Sequence, residues 1–359
     1  MRPLPFALAL GVLVPTIAAA GEPVPAYAEL LKIDVHSHIF EDVPALHALF
    51  RKINMHTINV CVPGGDGHLA TMDRIAFELY GQHPELYPVT TTFDLRPRDE
   101  PGYAASTIAW LDRAFARGAV AVKIWKEVGM EIKDRNGKFI LPDDPLFDPI
   151  YAHLAKRGKP LHAHLAEPID AWRPLDPDSP HYGYYSQNPQ WHLYGKPGYP
   201  SHEALIAARD HIMKKHPTLV VVGAHLGSLE HDLEGIAARF ERFPNFYIDV
   251  AARTRNLARH PSEKVRALFL KYSDRIMYGL DASWIPHRRD APPTNAQRQG
   301  HVNSLELRYR TDFDYYAGQG EMTYNGRKTE ALKLPREVLE KFYHANAERV
   351  FKLGPTVTP

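Results

Sequence analysis

One two-part hydropathy pattern recurs eight times along most of the chain: a short run rich in Val, Ile, Leu and Ala, then a longer stretch with helical spacing. Such alternation is the mark of parallel strands joined by crossover helices. The β-rich runs are 31–36, 57–62, 86–93, 119–125, 159–164, 219–225, 245–252 and 275–281. Helix-patterned stretches follow at 43–53, 68–82, 103–117, 146–157, 202–215, 230–242, 262–271 and 335–350. In YAASTIAWLDRAFAR, Ala104, Ile108, Leu111 and Phe115 share one helical face, and Gly118 punctuates the end. Pro335 opens the last helix at its first turn, where a missing N–H costs nothing. Eight units with no second compositional regime predict a (β/α)8 TIM barrel.

Two stretches interrupt the rhythm, 166–200 and 282–334, both rich in Pro, Gly, Tyr, Trp and His. They read as long loops after strands 5 and 8, on the C-terminal face where barrels carry their sites. Residues 31–354 therefore form one domain, preceded by the linker GEPVPAYAEL at 21–30. Residues 1–20 have a basic start, an apolar middle and an Ala-rich end, the parts of a secretory signal peptide. Cleavage near Ala20 would leave no stable membrane span, since Pro5 and Pro15 break a run already too short to cross. The expected location is periplasmic or secreted. The sole cysteine, Cys61 in INVCV, excludes an internal disulfide and reads as a buried thiol. With 43 basic against 42 acidic residues, the concentrated basic surface of a nucleic-acid binder is not indicated. The expected partner is a small molecule, and a homo-oligomer stays open.

The chemistry gathers where apolar runs give way to loop. LKIDVHSHIF carries His36 and His38, which leave one face of the first strand. Lys123 lies on the fourth strand, His164 ends the fifth, His225 the sixth and Asp281 the eighth. Imidazoles and a carboxylate suit zinc and similar divalent ions. Packing explains such a set poorly, because each unpaired buried polar group costs roughly 1–3 kcal/mol. His162, two residues before His164, shares its inward face one layer deeper and reads as a residue that orients a ligand or the catalytic aspartate.

DVHSH on strand one, the lysine on strand four, the two later histidines and the aspartate of YGLDAS together resemble the amidohydrolase superfamily. LPREVLEKFYHANAERVF is similar to the last helix of its amidohydrolase-related (type 2) branch, and the resemblance covers roughly residues 31–352. That branch includes dicarboxylate-type lactonases and metal-dependent aromatic or muconate-type decarboxylases. The resemblance implies His36, His38, His164 and Asp281 as ligands of one divalent ion, with zinc the first choice. His225 would lie beside the metal-bound water, or ligate a second ion bridged by a carboxylated Lys123. One ion with Lys123 as a plain amine is the preferred arrangement.

The implied reaction is hydrolysis of an ester, lactone or amide in a small, carboxylate-bearing substrate. A divalent ion brings the pKa of water from 15.7 to about 7. Asp281 would move the proton, His225 would polarise the scissile carbonyl and Lys123 would help to hold the oxyanion. The alternative is non-oxidative decarboxylation of an aromatic or muconate-type acid in the same barrel. A binding module that uses the metal only as an anchor is the non-enzymatic reading, disfavoured by the complete ligand set with its own base. A covalent serine route has no support, since G-x-S-x-G is absent. For substrate contacts the sequence offers Arg253 and Arg255 after strand seven, Trp125 and Lys126 after strand four, and Glu167 after strand five. The first insert adds Trp172, Arg173, His181, Tyr184, Tyr185, Trp191 and His192 as an aromatic wall. Trp284, Ile285, Pro286 and His287 adjoin Asp281 by connectivity, with Trp284 expected to touch substrate.

Overall fold

The structure is a computed structural model that describes residues 25–63, 67–286 and 291–354, so the leader at 1–20 and His287 lie outside the described residues. The strands are β1 (Lys32–Ile39), β2 (Met55–Val60), β3 (Val89–Thr91), β4 (Ala121–Ile124), β5 (Leu161–Ala163), β6 (Val221–Gly223), β7 (Phe246–Asp249), β8 (Ile276–Met277) and β9 (Ala282–Trp284). They form one sheet in the order β8-β7-β6-β5-β4-β3-β2-β1-β9. Neighbours pair in parallel. The two ends of that order are successive pieces of chain. Val35 N–H donates to the Tyr278 carbonyl at 3.0 Å and Asp281 N–H to that of His36 at 2.9 Å, while β9 pairs with β1 from Ser37 to Ile39. The last stretch of sheet thus lies against the first, giving a parallel β/α barrel-like fold.

The predicted eighth strand, 275–281, is realised as two short pieces. Asp281 sits between them with φ +62°, outside both strand pieces although its N–H still reaches the His36 carbonyl. Helices Pro44–Lys52, His68–Gln82, Tyr103–Ala116, Asp148–Arg157, His202–Lys215, Leu233–Arg242 and Ser262–Lys271 form the crossovers. Local chemistry fixes several of their ends. The Ser201 hydroxyl caps Ala204 N–H, Asp232 caps Gly235 N–H, and Gly158 ends its helix at φ +60°.

A large apolar layer packs the helices on the sheet, with Leu46, Phe50, Leu111, Leu154 and Phe240 among its buried members. A smaller cluster fills the barrel's lower interior: Ile33, Val35, Ile58, Ala121, Val222 and Met277, closed by Val350 and Phe351. Because Ile33 and Val35 point inward, strict alternation would send His36 and His38 out to the helix layer. The β1–β2 register shifts between Asp34 and Ser37. Beyond that irregularity His36 and His38 face inward, while Ile39 joins the outer layer. One irregular step converts the strand from plug to ligand carrier.

The two long connections carry structure of their own. The first holds short helices at Ile169–Trp172, Tyr182–Gln187 and Pro189–Trp191. The second holds a 23-residue helix, Asn295–Ala317, started by a capping box between Thr294 and Gln297, and a hairpin of β10 (Glu321–Tyr324) and β11 (Arg327–Glu330). The final helix predicted at 335–350 runs through Arg336–Glu340 and Asn346–Phe351 with a π turn, Lys341–Ala345, between them. Cys61 is a buried free thiol. No helix among the described residues is long and apolar enough to cross a membrane.

Candidate metal centre

Donor atoms of His36, His38 and Asp281 all lie within 4.8 Å of one another above the apolar plug. His38 Nε2 is 3.3 Å and His36 Nε2 3.9 Å from Asp281 Oδ1. Ring centroids of His36 and His225 are 4.7 Å apart, and those of His225 and His164 4.4 Å. His164 completes the ring of imidazoles, and its Nε2 is buried with no hydrogen-bond partner. A buried nitrogen left unpaired beside the His225 ring suits a cation, which would relieve its desolvation.

The opposite nitrogens are already committed. His38 Nδ1 donates to the Val60 carbonyl at 2.7 Å, and His225 Nδ1 to that of Ala251 at 2.8 Å. A carbonyl can only accept, so both rings carry their proton on Nδ1 and leave Nε2 bare. For His36 the acceptor is Asp249 Oδ2, 3.1 Å from Nδ1. Lys123 Nζ, 3.1 Å from His36 Nε2, donates to the bare side.

Asp249, the last residue of β7, is fully buried. It also groups within 4.8 Å of His36 and His225, as a ligand would. However, its oxygens are occupied. Oδ2 accepts from His36 and from His162 Nε2 at 2.7 Å, and Oδ1 accepts from the backbone N–H of His225 and Ala251. Four hydrogen bonds exhaust the carboxylate's acceptor sites, so Asp249 orients the cluster from behind. His162 acts through it, not through Asp281.

Burial pushes the His36 imidazole down to about 3, with Lys123 adding to the effect. Burial and neighbouring cations also hold His164 and His225 well below their ordinary range. For Asp281 burial works against ionisation, but contact with the His38 ring and the fields of His36 and His225 whenever those rings are protonated outweigh it and hold the carboxyl well below the usual carboxylate range. Neutral imidazoles around an ionised carboxylate are the protonation states that a divalent cation requires. Burial lowers the Lys123 ammonium to about 8.

A cavity of about 120 Å³ opens onto this cluster at Asp281, His164 and His225. Its other polar lining includes Lys126, Arg253, Arg255, Glu167, His181 and Tyr184. Lys126 Nζ forms a buried ion pair with Glu167, donates to the Tyr184 hydroxyl at 2.9 Å and stands 3.8 Å from the Trp191 ring centroid. Arg253 has no carboxylate partner among the described residues, and its Nε is buried and unpaired. Three residues lining the cavity, His225 (φ +58°), Ala252 (+55°) and Asp281 (+62°), hold left-handed backbone. Such strain costs about 1–3 kcal/mol per residue and collects at functional sites.

The structure thus brings together His36, His38, Lys123, His164, His225 and Asp281, with Arg253 and Arg255 on the adjoining cavity wall. Trp125, Tyr185, Trp191 and Trp284 stand outside that lining. Trp125 packs edge-on against Trp191 at 5.6 Å, and Tyr185 donates to Glu167 Oε2 at 3.1 Å. The Trp284 indole donates to Glu41 and stacks on His301 at 4.7 Å. Asp249 was not anticipated from the sequence. Its signal was an acid within the apolar run FYIDV.

The sequence model of the amidohydrolase family matches residues 79–353. The chain belongs to the amidohydrolase superfamily, in its type 2 branch. This amidohydrolase carries His36 and His38 ahead of the matched range, so their place in the centre rests on geometry. No curated protein matches it. Among solved structures it is similar to 2,6-dihydroxybenzoate decarboxylase from Rhizobium, at TM-score 0.53 and 14% identity over 90% of this chain and 99% of that one. The same likeness holds for a 2,6-dihydroxybenzoate decarboxylase complexed with 2,6-dihydroxybenzoate, at 0.52 and 15% over 90% and 100%. An amidohydrolase II gives 0.51 and 15%, again over 90% and 100%. At these identities the likeness concerns the fold.

Proposed function

We propose that this amidohydrolase is a metal-dependent enzyme that removes CO₂, without oxidation, from a small flat acid. The observation that carries the reading is the cavity lining: Lys126, Arg253 and Arg255 in a space that opens directly onto the histidine and aspartate cluster. With Lys126 answered by Glu167, Arg253 and Arg255 are the lining cations without a carboxylate partner among the described residues, so a carboxylate is the complementary ligand. At about 120 Å³ the space is well under the roughly 300–1,000 Å³ of sites for drug-sized ligands, so the substrate is small. The decarboxylases of similar fold act on such an acid, which supports the reading further.

His36, His38, His164 and Asp281 would hold the cation, with zinc the ion we assign. When bound, it supplies Lewis acidity to a carboxylate or neighbouring oxygen of the substrate. Arg253 would fix the substrate's orientation through its planar fork. As the carbon–carbon bond breaks, CO₂ leaves its electron pair on the ring carbon, which must then accept a proton. Tyr184 is the protonated group placed on the cavity. Burial and then the charge of Glu167 raise its pKa, its oxygen accepts from Lys126, and its proton, hydrogen-bonded to Glu167, is the one it would deliver to the carbon. Lys123 and His225 would tune the charge beside the cation.

Hydrolysis of an ester, lactone or amide is the second reading. It is favoured by the ionised Asp281, a base that lines the same cavity. Zinc-loaded protein incubated in ¹⁸O-water with hydroxybenzoates and small lactones separates the two. Released CO₂ with no ¹⁸O in the organic product is the expected result. Incorporation of ¹⁸O with no CO₂ would transfer the assignment to hydrolysis, and inertness across both panels would remove both.

A further inference from the structure

We propose a second divalent transition-metal site, in the helix layer, formed by Asp42, His47 and His83. His47 lies on the helix Pro44–Lys52, Asp42 two residues before it, and His83 directly after the helix His68–Gln82. One donor atom from each lies within 4.8 Å of the other two. The His47 and His83 ring centroids are 4.1 Å apart, and His47 Nε2 is 3.5 Å from Asp42 Oδ1.

Two unsatisfied atoms point to a ligand. His47 is 4% exposed, yet its Nε2 has no hydrogen-bond partner. The fully buried Tyr87, its ring 5.6 Å from that of His47, has an unpartnered hydroxyl. Each such group carries a desolvation cost that a bound ion with its own water would remove. Arg51, the nearby cation, is answered by Glu85 at 3.3 Å. Asp42 is 51% exposed on its side chain and provides the entry path.

Two imidazoles and one carboxylate with a position left for water suit zinc, or nickel and copper. Magnesium and calcium prefer all-oxygen sets and do not fit. Such an ion would tie the start of the first helix to the end of the second, away from the catalytic cavity. Its role is therefore to stabilise the fold.

The test is equilibrium dialysis of the zinc-loaded enzyme against added zinc, with metal counted by mass spectrometry, on wild type, His83→Gln and Asp42→Asn. Neither substituted side chain is buried, so both variants should fold, and circular dichroism checks that they do. The expected result is one more zinc per wild-type chain than in either variant. Added zinc should also raise the melting temperature of the loaded wild type but of neither variant. Equal zinc content in all three, or a melting shift that both variants keep, would overturn the site. Because the reference state is already loaded at the first centre, neither outcome depends on the catalytic assignment.

Discussion

Replacing Asp249 by Asn should disable the centre without touching a single ligand. The carboxylate divides its work evenly: one oxygen accepts two backbone N–H groups, the other accepts His36 Nδ1 and His162 Nε2. An amide has one oxygen, so one half of this arrangement must meet an NH₂ group instead. If the oxygen stays with the backbone, His36 Nδ1 has to become an acceptor and its proton moves to Nε2. That is the nitrogen that faces His38, Asp281 and Lys123. A protonated Nε2 cannot ligate. Loss of an orienting carboxylate typically lowers metal affinity 10–100-fold, or about 1.4–2.7 kcal/mol. The assay is zinc affinity by chelator competition, with the His36 tautomer read from histidine ¹⁵N shifts. The reasoning fails if Asp249→Asn binds zinc within twofold of wild type, or if it binds weakly while His36 still carries its proton on Nδ1.

Arg253→Leu should weaken binding of a benzoate-type acid to the zinc-loaded enzyme by roughly 10–100-fold, the value of a charge-assisted hydrogen bond, with zinc content unchanged; titration calorimetry checks both. Asp312 is buried and, despite donation from Tyr278 and Tyr324, burial pushes its pKa up to about 6 from 3.8. The unfolded chain then holds fewer protons than the folded one between about pH 4 and 6, so this group lowers stability as pH rises through that window. Wild type minus Asp312→Asn in urea unfolding should show that slope, flattening above about pH 6. Phe351→Ala removes the floor of the barrel plug and should cost about 3–5 kcal/mol in the same experiment, with the melting temperature falling accordingly.

The sequence displayed the parts of this protein that repeat. The strand and helix alternation was legible because each β-rich run is buried on both faces and reads as a block of apolar residues. The ligand residues were legible because a barrel mouth is where such blocks end. What escaped depends on geometry that no periodicity encodes. The irregular step after Asp34 decides which way His36 and His38 point, and alternation alone would place them beside the helices. Asp281 reads as a strand end in the sequence, although it occupies a left-handed kink between two strand pieces. Asp249 hid among apolar neighbours because three of its four partners, His36, His162 and His225, are distant in sequence. By contrast, the helix Asn295–Ala317 was there to be found: Val302, Leu305, Tyr309, Asp312, Phe313 and Tyr316 have helical spacing and are buried. Its aromatic and polar residues dilute that period. The Lys126–Glu167 pair joins the neighbouring fourth and fifth strand ends, but that the two side chains answer each other and not the substrate is visible only in the structure.

The most direct measurement is an anomalous-scattering crystal structure of the zinc-loaded enzyme, collected on both sides of the zinc edge. A peak within coordinating distance of His36 Nε2, His38 Nε2, His164 Nε2 and an Asp281 oxygen, beside an unmodified Lys123, is the predicted result. A crystal of active enzyme with no anomalous peak among these four side chains would contradict the account.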